Sequence, residues 1–320
     1  MGAFVLRKAL GAIPLLIAIS AICFGLVRLA PGGPLARLEG LPNVRAEDIE
    51  LKKKALGLDL PLPVQYGAWL VRIGLRGDLG RSFVTGEPVA AMIIGRLPAT
   101  LELMSAAFLL AIAMGMSAGV MSAVRAGKAL DYALTFLALV GISLPVFWIG
   151  LMAQVLFSVE LGWLPAGGRA GVTEATAASF SARLRHLVMP ASVLSLLYMS
   201  SWSRYMRASL LGVLAQDYIR TARAKGLGET AVVARHGVRN ALIPVVTIVA
   251  LQLPTLFTGA IITETIFSWP GMGLLFYDGV LKGDYPRVQA ILLVSSVLIV
   301  TFNLAADLLY AVLDPRIAYR

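Results

Sequence analysis

The sequence predicts an all-α integral membrane protein with six transmembrane helices and both termini in the cytoplasm. Three observations predict it. The 320 residues are 58% hydrophobic and only 14% charged, with a mean hydropathy of +0.81, where a soluble domain carries about 25% charged residues. That composition excludes a soluble enzyme and a disordered tail. Second, uncharged runs near the length of a span recur along the chain. Third, the cations gather on alternate connections.

A helix rises 1.5 Å per residue, so about 20 apolar residues cross the hydrocarbon layer. The qualifying runs are Ala9–Val27, Leu103–Val124, Tyr132–Val159, Leu187–Ser203, Asn240–Thr263 and Val288–Ala306, with Leu187–Ser203 the shortest. The first follows Arg7 and Lys8 as a secretory signal would, but it exceeds a signal core of about 7–15 residues and is expected to stay as an uncleaved first helix. With the N-terminus inside, the inner connections and termini hold Arg7, Lys8, Arg125, Lys128, Arg204, Arg207, Arg220, Arg223, Lys225, Arg235, Arg239, Arg316 and Arg320. The short outer loops hold Arg169, Arg183, Arg185, Lys282 and Arg287. Cations near span ends resist translocation, so the richer set marks the cytoplasm. This topology accounts for the net charge of +10 without nucleic acid.

Between the first two spans a long outer segment, residues 30–102, carries its own turns at Pro31-Gly32-Gly33-Pro34 and Leu60-Pro61-Leu62-Pro63. Ala46–Leu56 and Val64–Leu75 read as amphipathic helices of an outer cap. No soluble second domain is apparent, so residues 1–320 are expected to form one membrane domain. Pro14, Pro145, Pro190, Pro244 and Pro254 fall within or beside spans, where they act as static kinks or as hinges. Glu102, Glu160, Glu264 and Asp307 are expected at span ends, near water. Cys23 is the one cysteine, and His186 and His236 lack metal-ligand spacing, so no metal site is expected.

Patterning is strongest inside, on residues 204–239, where seven basic residues face two acids, Asp217 and Glu229. Asp217 is placed to accept N–H groups at a helix start, Tyr218–Lys225 continue the helix, and Gly226 and Gly228 break it. A second helix opens near Glu229-Thr230 and runs through Val238 towards the fifth span. Small Ala222, Ala224 and Gly226 admit another protein's surface, and Arg220, Arg223 and Lys225 can pair with its carboxylates. An ordinary basic loop that only fixes topology is the alternative.

The segment Asp217-Tyr218-Ile219-Arg220-Thr221-Ala222-Arg223-Ala224-Lys225-Gly226-Leu227, with Arg235-His236-Gly237-Val238-Arg239-Asn240-Ala241-Leu242-Ile243-Pro244, resembles the EAA loop of ABC importer permeases in its dipeptide, oligopeptide and nickel form. Arg28-Leu29-Ala30-Pro31-Gly32, Gly57-Leu58-Asp59, Gly77-Asp78-Leu79-Gly80-Arg81-Ser82, Arg96-Leu97-Pro98-Ala99-Thr100, Glu264-Thr265-Ile266-Phe267-Ser268-Trp269-Pro270-Gly271 and Leu313-Asp314-Pro315-Arg316 are similar to the first permease subunit of that branch. Arg220-Thr221-Ala222 stands where the wider superfamily has Glu-Ala-Ala, which removes an acidic anchor.

The resemblance implies a type I ABC importer permease in a bacterial or archaeal inner membrane. It implies a homologous second permease, two ATPase subunits or domains, and an extracytoplasmic solute-binding protein that delivers peptide. Asp217, Tyr218, Arg220, Thr221, Ala222, Arg223, Ala224, Lys225, Gly226 and Leu227 would then couple to the ATPase. Glu264, Phe267, Trp269 and Pro270 would border the outer gate or form an interfacial turn. No cofactor is expected on this chain. Gly127-Lys128 is followed by Ala129 and preceded by Ser122 where a phosphate loop needs glycine, so ATP and Mg would be bound by the partner ATPases. Dipeptide, oligopeptide, glutathione, nickel chelate and oligosaccharide all remain open as cargo. A self-sufficient secondary transporter is the rival, though internal repeats and mid-span acids are not apparent.

Overall fold

The computed structural model describes residues 2–29, 45–55, 57–170 and 179–313. Parts of the expected outer cap and the Arg316 and Arg320 cations lie outside the described residues. Apart from one isolated bridge between Arg81 and Pro88, the described secondary structure is helical. In chain order the helices are α1 (Gly2–Leu29), α2 (Ala46–Ala55), α3 (Leu62–Arg76), α4 (Val89–Val124), α5 (Ala129–Ser143), α6 (Val146–Glu160), α7 (Phe180–Leu214), α8 (Asp217–Ala224), α9 (Glu229–Gln252), α10 (Thr255–Ile266), α11 (Met272–Leu281) and α12 (Tyr285–Leu313).

Among the described residues, four helices contain stretches long and apolar enough to cross a membrane: Leu10–Leu29 of α1, α4, α9 and Tyr285–Leu308 of α12. The expected third span is a pair, α5 and α6, bent by 103°. Its cause lies at Pro145: Leu144 is forced to extended backbone (φ −89°, ψ 137°) and cannot continue the helix. The expected fourth span falls inside the 35-residue α7, where Ser192, Ser195, Ser200, Ser201 and Ser203 dilute the apolar character. Leu253 and Pro254 divide the expected fifth span between α9 and α10. Pro14, Pro190 and Pro244, in contrast, lie inside continuous helices. Two π-helical stretches, Val155–Glu160 and Val232–Val238, widen the helical bonding.

The chain divides into two compact units, Met1–Pro98 with Leu274–Thr301, and Ala99–Gly273 with Phe302–Arg320. In the first, aromatic contacts fasten α3 to α1: Phe24 lies 5.5 Å from Tyr66 and 5.6 Å from Trp69, centroid to centroid. The Tyr66 hydroxyl also shares a 2.7 Å hydrogen bond with Ser20. A fully buried ion pair closes the loop ahead of α12. The Asp284 carboxylate accepts from Ser82 Oγ at 2.5 Å, Phe83 N at 2.9 Å and Arg287 Nη2 at 3.0 Å.

In the second unit α7 is the central helix, burying Trp202, Met206 and Leu210 completely. Neighbouring helices approach it through glycines. A Cβ at Gly119 would stand 2.6 Å from Met206 Cβ and from the Ser203 carbonyl oxygen, so α4 and α7 pack backbone against side chain. Trp202 Nε1 donates to Gln252 Oε1 at 2.6 Å, which ties α7 to the end of α9.

Candidate functional site

The patterned loop folds as a short helix, a left-handed glycine and a second helix. Between α7 and α8 the chain turns at Ala215, and Gln216 takes an extended conformation (ψ 152°) whose carbonyl accepts from Ile219 N at 3.1 Å. Gln216, not Asp217, therefore occupies the cap position, with no side-chain capping bond. Asp217 sits in the first turn, where its charge suits the helix dipole, and lies 3.6 Å from Arg220. At the other end Gly226 adopts φ +81°, a value glycine reaches without a Cβ penalty. Its N–H reaches the Arg223 carbonyl at 2.9 Å and Leu227 N reaches the Ala222 carbonyl at 3.4 Å.

A small core makes this loop rigid. Ile219, Ala222 and Val232 are buried together, with Val213 and Leu214 packed against them. Ala222, expected on the open face, is thus turned inward and joins α8 to the second arm. Arg223 is also engaged within the loop, donating to Glu229 through Nη2 at 2.7 Å and Nε at 3.0 Å. Hydrogen bonding to that carboxylate raises the guanidinium's pKa above its ordinary value. Tyr218, Arg220, Thr221, Ala224, Lys225 and Leu227 form the exposed surface. Its chemistry is one aromatic ring, two cations and small or apolar side chains.

Glu264, Phe267, Trp269 and Pro270 come together at the end of α10, but not in water. Glu264 is fully buried, which corrects the expectation of a wet span end. Its carboxylate accepts from Thr100 Oγ1 at 2.7 Å and from Gly273 N at 2.6 Å, while Met272 N donates to the same Thr100 oxygen at 2.8 Å. Trp269, equally buried, donates from Nε1 to the Ala99 carbonyl at 2.8 Å. The buried Phe267 packs with Met189 and Val193 of α7, and Pro270 is half-buried. Between them Ser268 takes φ +47°, a left-handed conformation uncommon outside glycine. The four residues form a locked turn.

In the sequence Arg207 reads only as a topology cation, and Asp131 carries no role. The structure pairs them: Arg207 Nε and Nη2 each donate to Asp131 at 2.7 Å, Gly127 N donates at 2.9 Å, and Ser122 Oγ completes the set. The available signal was an acid abutting an apolar run, which requires a partner. Glu102 likewise pairs with Arg169, whose Nη2 lies at 2.5 Å.

Comparison with known proteins agrees across the whole chain. A family model described as "Binding-protein-dependent transport system inner membrane component" matches residues 115–319, and the corresponding N-terminal model matches residues 1–104. The oligopeptide transport system permease protein AppB of Bacillus subtilis (strain 168) is 43% identical over 320 residues, covering 100% of both chains. The dipeptide transport system permease protein DppB of Alkalihalophilus pseudofirmus is 39% identical, again with 100% of both covered. The glutathione transport system permease protein GsiC of Salmonella typhimurium (strain LT2) is 41% identical over 99% of each. Among solved structures, the inward-facing MetNI methionine ABC transporter matches with a TM-score of 0.56 at 18% identity, over 71% of this chain and 99% of that one. At that identity the likeness concerns the fold.

Proposed function

The chain belongs to the binding-protein-dependent transport system inner membrane component family, and we propose that it forms half of the pathway of an ATP-driven importer for di- and oligopeptides. Full-length relatives named for oligopeptide, dipeptide and glutathione transport support a short-peptide cargo. In this reading the chain is one six-span permease domain with cytoplasmic termini and an outer segment over residues 30–102. A homologous permease completes the pathway, two ATPase subunits or domains bind ATP and Mg, and an extracytoplasmic binding protein delivers substrate. This chain performs no chemical step itself.

One observation carries the coupling role: α8 is a rigid helix with an outward face. Burial of Ile219 and Ala222 and the Arg223–Glu229 clamp fix it to α9, so a push on Tyr218, Arg220 or Lys225 reaches the membrane helix without being absorbed in the loop. A stiff lever is what rigid-body transmission requires. Asp217, Tyr218, Arg220, Thr221, Ala224, Lys225, Gly226 and Leu227 are assigned to the contact, and Ala222 and Arg223 to its internal bracing. Glu264, Phe267, Trp269 and Pro270 are assigned to the outer gate as its fixed frame, in keeping with their burial.

Ala224→Trp tests the contact, because Ala224 is exposed and a larger side chain there leaves the loop core intact. Gly226→Pro tests the turn, since proline cannot reach the φ of +81°. Both are expected to reduce ATP-driven peptide uptake at least about tenfold, equivalent to about 1.4 kcal/mol of lost docking energy, with membrane insertion unchanged. Uptake at the unsubstituted rate in Ala224→Trp would refute the assignment. Mass spectrometry of the chain purified in mild detergent is expected to show a homologous permease and ATPase chains; recovery of a homo-oligomer alone would favour the secondary-transporter reading.

A further inference from the structure

The first unit carries an open cleft, part polar and part apolar, of about 370 Å³ where the end of α1, the helix α3, residues 78–83 and the start of α12 meet. Arg28, Arg72 and Arg81 line it, against one acid, Asp78. The Arg28 guanidinium rests 4.9 Å over the Phe24 ring, which leaves its N–H groups free for an anion, and Arg81 Nη1 donates to the Gly86 carbonyl at 3.0 Å. The Asp78 carboxylate already accepts the Gly80 N–H at 2.8 Å. Gln289 also lines the cavity, is 9% exposed, and its Nε2 has no hydrogen-bond partner among the described residues. An amide donor held out of water without an acceptor is unfavourable by about 1–3 kcal/mol. The Gln289 Nε2 lies just inside the cavity wall, so a side-chain rotation that presents it to an acceptor in the cavity would be favoured. Cations and an amide donor together match an anion with several oxygens.

Position narrows the class of anion. Arg28 stands in the last turn of α1 and Tyr285 opens α12, both among the helices apolar enough to cross the membrane. The cavity therefore lies where hydrocarbon gives way to headgroups, and Trp69 and Tyr285, which line it, are residue types concentrated at that depth. Alongside runs α3, whose buried side is Gln65 and Trp69, while Val64, Val71 and Leu75 on the opposite side are 51%, 55% and 81% exposed. A helix with an uncovered apolar side and arginines at its end has the pattern of one lying in the membrane interface.

We propose that this cavity is a headgroup site for an anionic phospholipid, with the phosphate held by Arg28, Arg72 and Gln289 and the acyl chains lying along the exposed side of α3. A soluble phosphate or a peptide carboxylate would satisfy the arginines and leave the apolar face of α3 unexplained. Under the proposed orientation the lipid belongs to the outer leaflet. It would pin α1, α3 and α12 together without a covalent link.

Native mass spectrometry of the purified full-length transporter, equilibrated in micelles with phosphatidylglycerol or phosphatidylcholine of identical chains, tests the site. Wild type is expected to retain phosphatidylglycerol in preference to phosphatidylcholine. Arg72→Ala and Gln289→Leu should lower that retention at least about tenfold, as the loss of one charge-assisted or buried donor implies. Arg76→Ala, on the same helix but outside the cavity, should leave it unchanged. Excess inorganic phosphate or a dipeptide should not displace the lipid. Equal retention of the two lipids, or undiminished retention in Arg72→Ala, overturns the proposal, and displacement by inorganic phosphate or dipeptide replaces it with a soluble-anion site. Arg72 is exposed, so its variant decides the matter even where Gln289→Leu fails to fold.

Discussion

Glu264→Leu is expected to lower the thermal unfolding midpoint of the detergent-solubilised protein by about 5–15 °C. It leaves the Gly273 N–H and the Thr100 hydroxyl without their common acceptor in a fully buried place. Each unsatisfied donor is unfavourable by about 1–3 kcal/mol, and each kcal/mol moves the midpoint of a domain this size by about 2–4 °C. Glu264→Gln should fall between, because an amide offers one oxygen where the carboxylate offers two. Gly273→Ala is expected to be at least as damaging by a different route. Its Cβ would stand 2.5 Å from Ile261 Cα, so backbone has to move, whereas a Cβ at Gly271 would meet the Glu264 carboxylate at 2.3–2.4 Å. A differential scan in which Glu264→Leu melts with the unsubstituted protein would show that the carboxylate does not hold this turn.

The consequence reaches the proposed gate. Thr100 on α4, Glu264 on α10 and the turn through Trp269 form one hydrogen-bonded block, so a pathway bordered by it would have a stiff rim. The Ser268 conformation, φ +47°, survives because Trp269 N bonds the Glu264 carbonyl at 2.8 Å on one side and Gly168 N bonds the Phe267 carbonyl at 2.7 Å on the other. Strain held by surrounding bonds in this way is common at functional turns.

Much of this architecture was legible in local sequence. Apolar runs located the long helices, and Gly226 marked the end of α8, because each signal is a property of a few adjacent residues. Glu264 was misplaced for a physical reason. A carboxylate at the edge of an apolar run is wet if nothing covers it and buried if donors do, and its donors, Thr100 and Gly273, come from outside its own helix. Ala222 was misassigned similarly, since α8 offers two faces and only the packing of Val232 decides which is hidden. Pro145 illustrates the converse: its 103° bend follows from the backbone alone, yet Pro190 and Pro244 do not interrupt their helices. Whether a proline bends or merely sits depends on what neighbours do with the released carbonyl.

Asp131→Ala is expected to destabilise by about 3 kcal/mol, at the lower end of the range for breaking a buried ion pair, since Arg207 retains one-third of its side-chain exposure and water can partly recover it. Arg207→Ala should be worse than its exposure suggests, because it strands the nearly dry Asp131 with only Ser122 and the Gly127 N–H. The double variant should then lose less than the two single variants added, with a coupling energy of about 1–3 kcal/mol measured by thermal or denaturant unfolding. Additive losses would mean that the pair is geometric only. A functional effect should accompany the stability effect. Arg207 stands on the part of α7 that runs to Leu214, directly ahead of the turn into α8, and Asp131 anchors it to the first turn of α5. Loosening that anchor leaves α8 and its loop core folded but mounts the lever on a softer base. ATP-driven uptake should therefore fall more in Asp131→Ala than in a variant of equal stability loss placed in the first unit, such as Tyr66→Phe, which removes the 2.7 Å bond to Ser20. Equal uptake at matched stability would separate the ion pair from coupling and leave it a purely structural clamp.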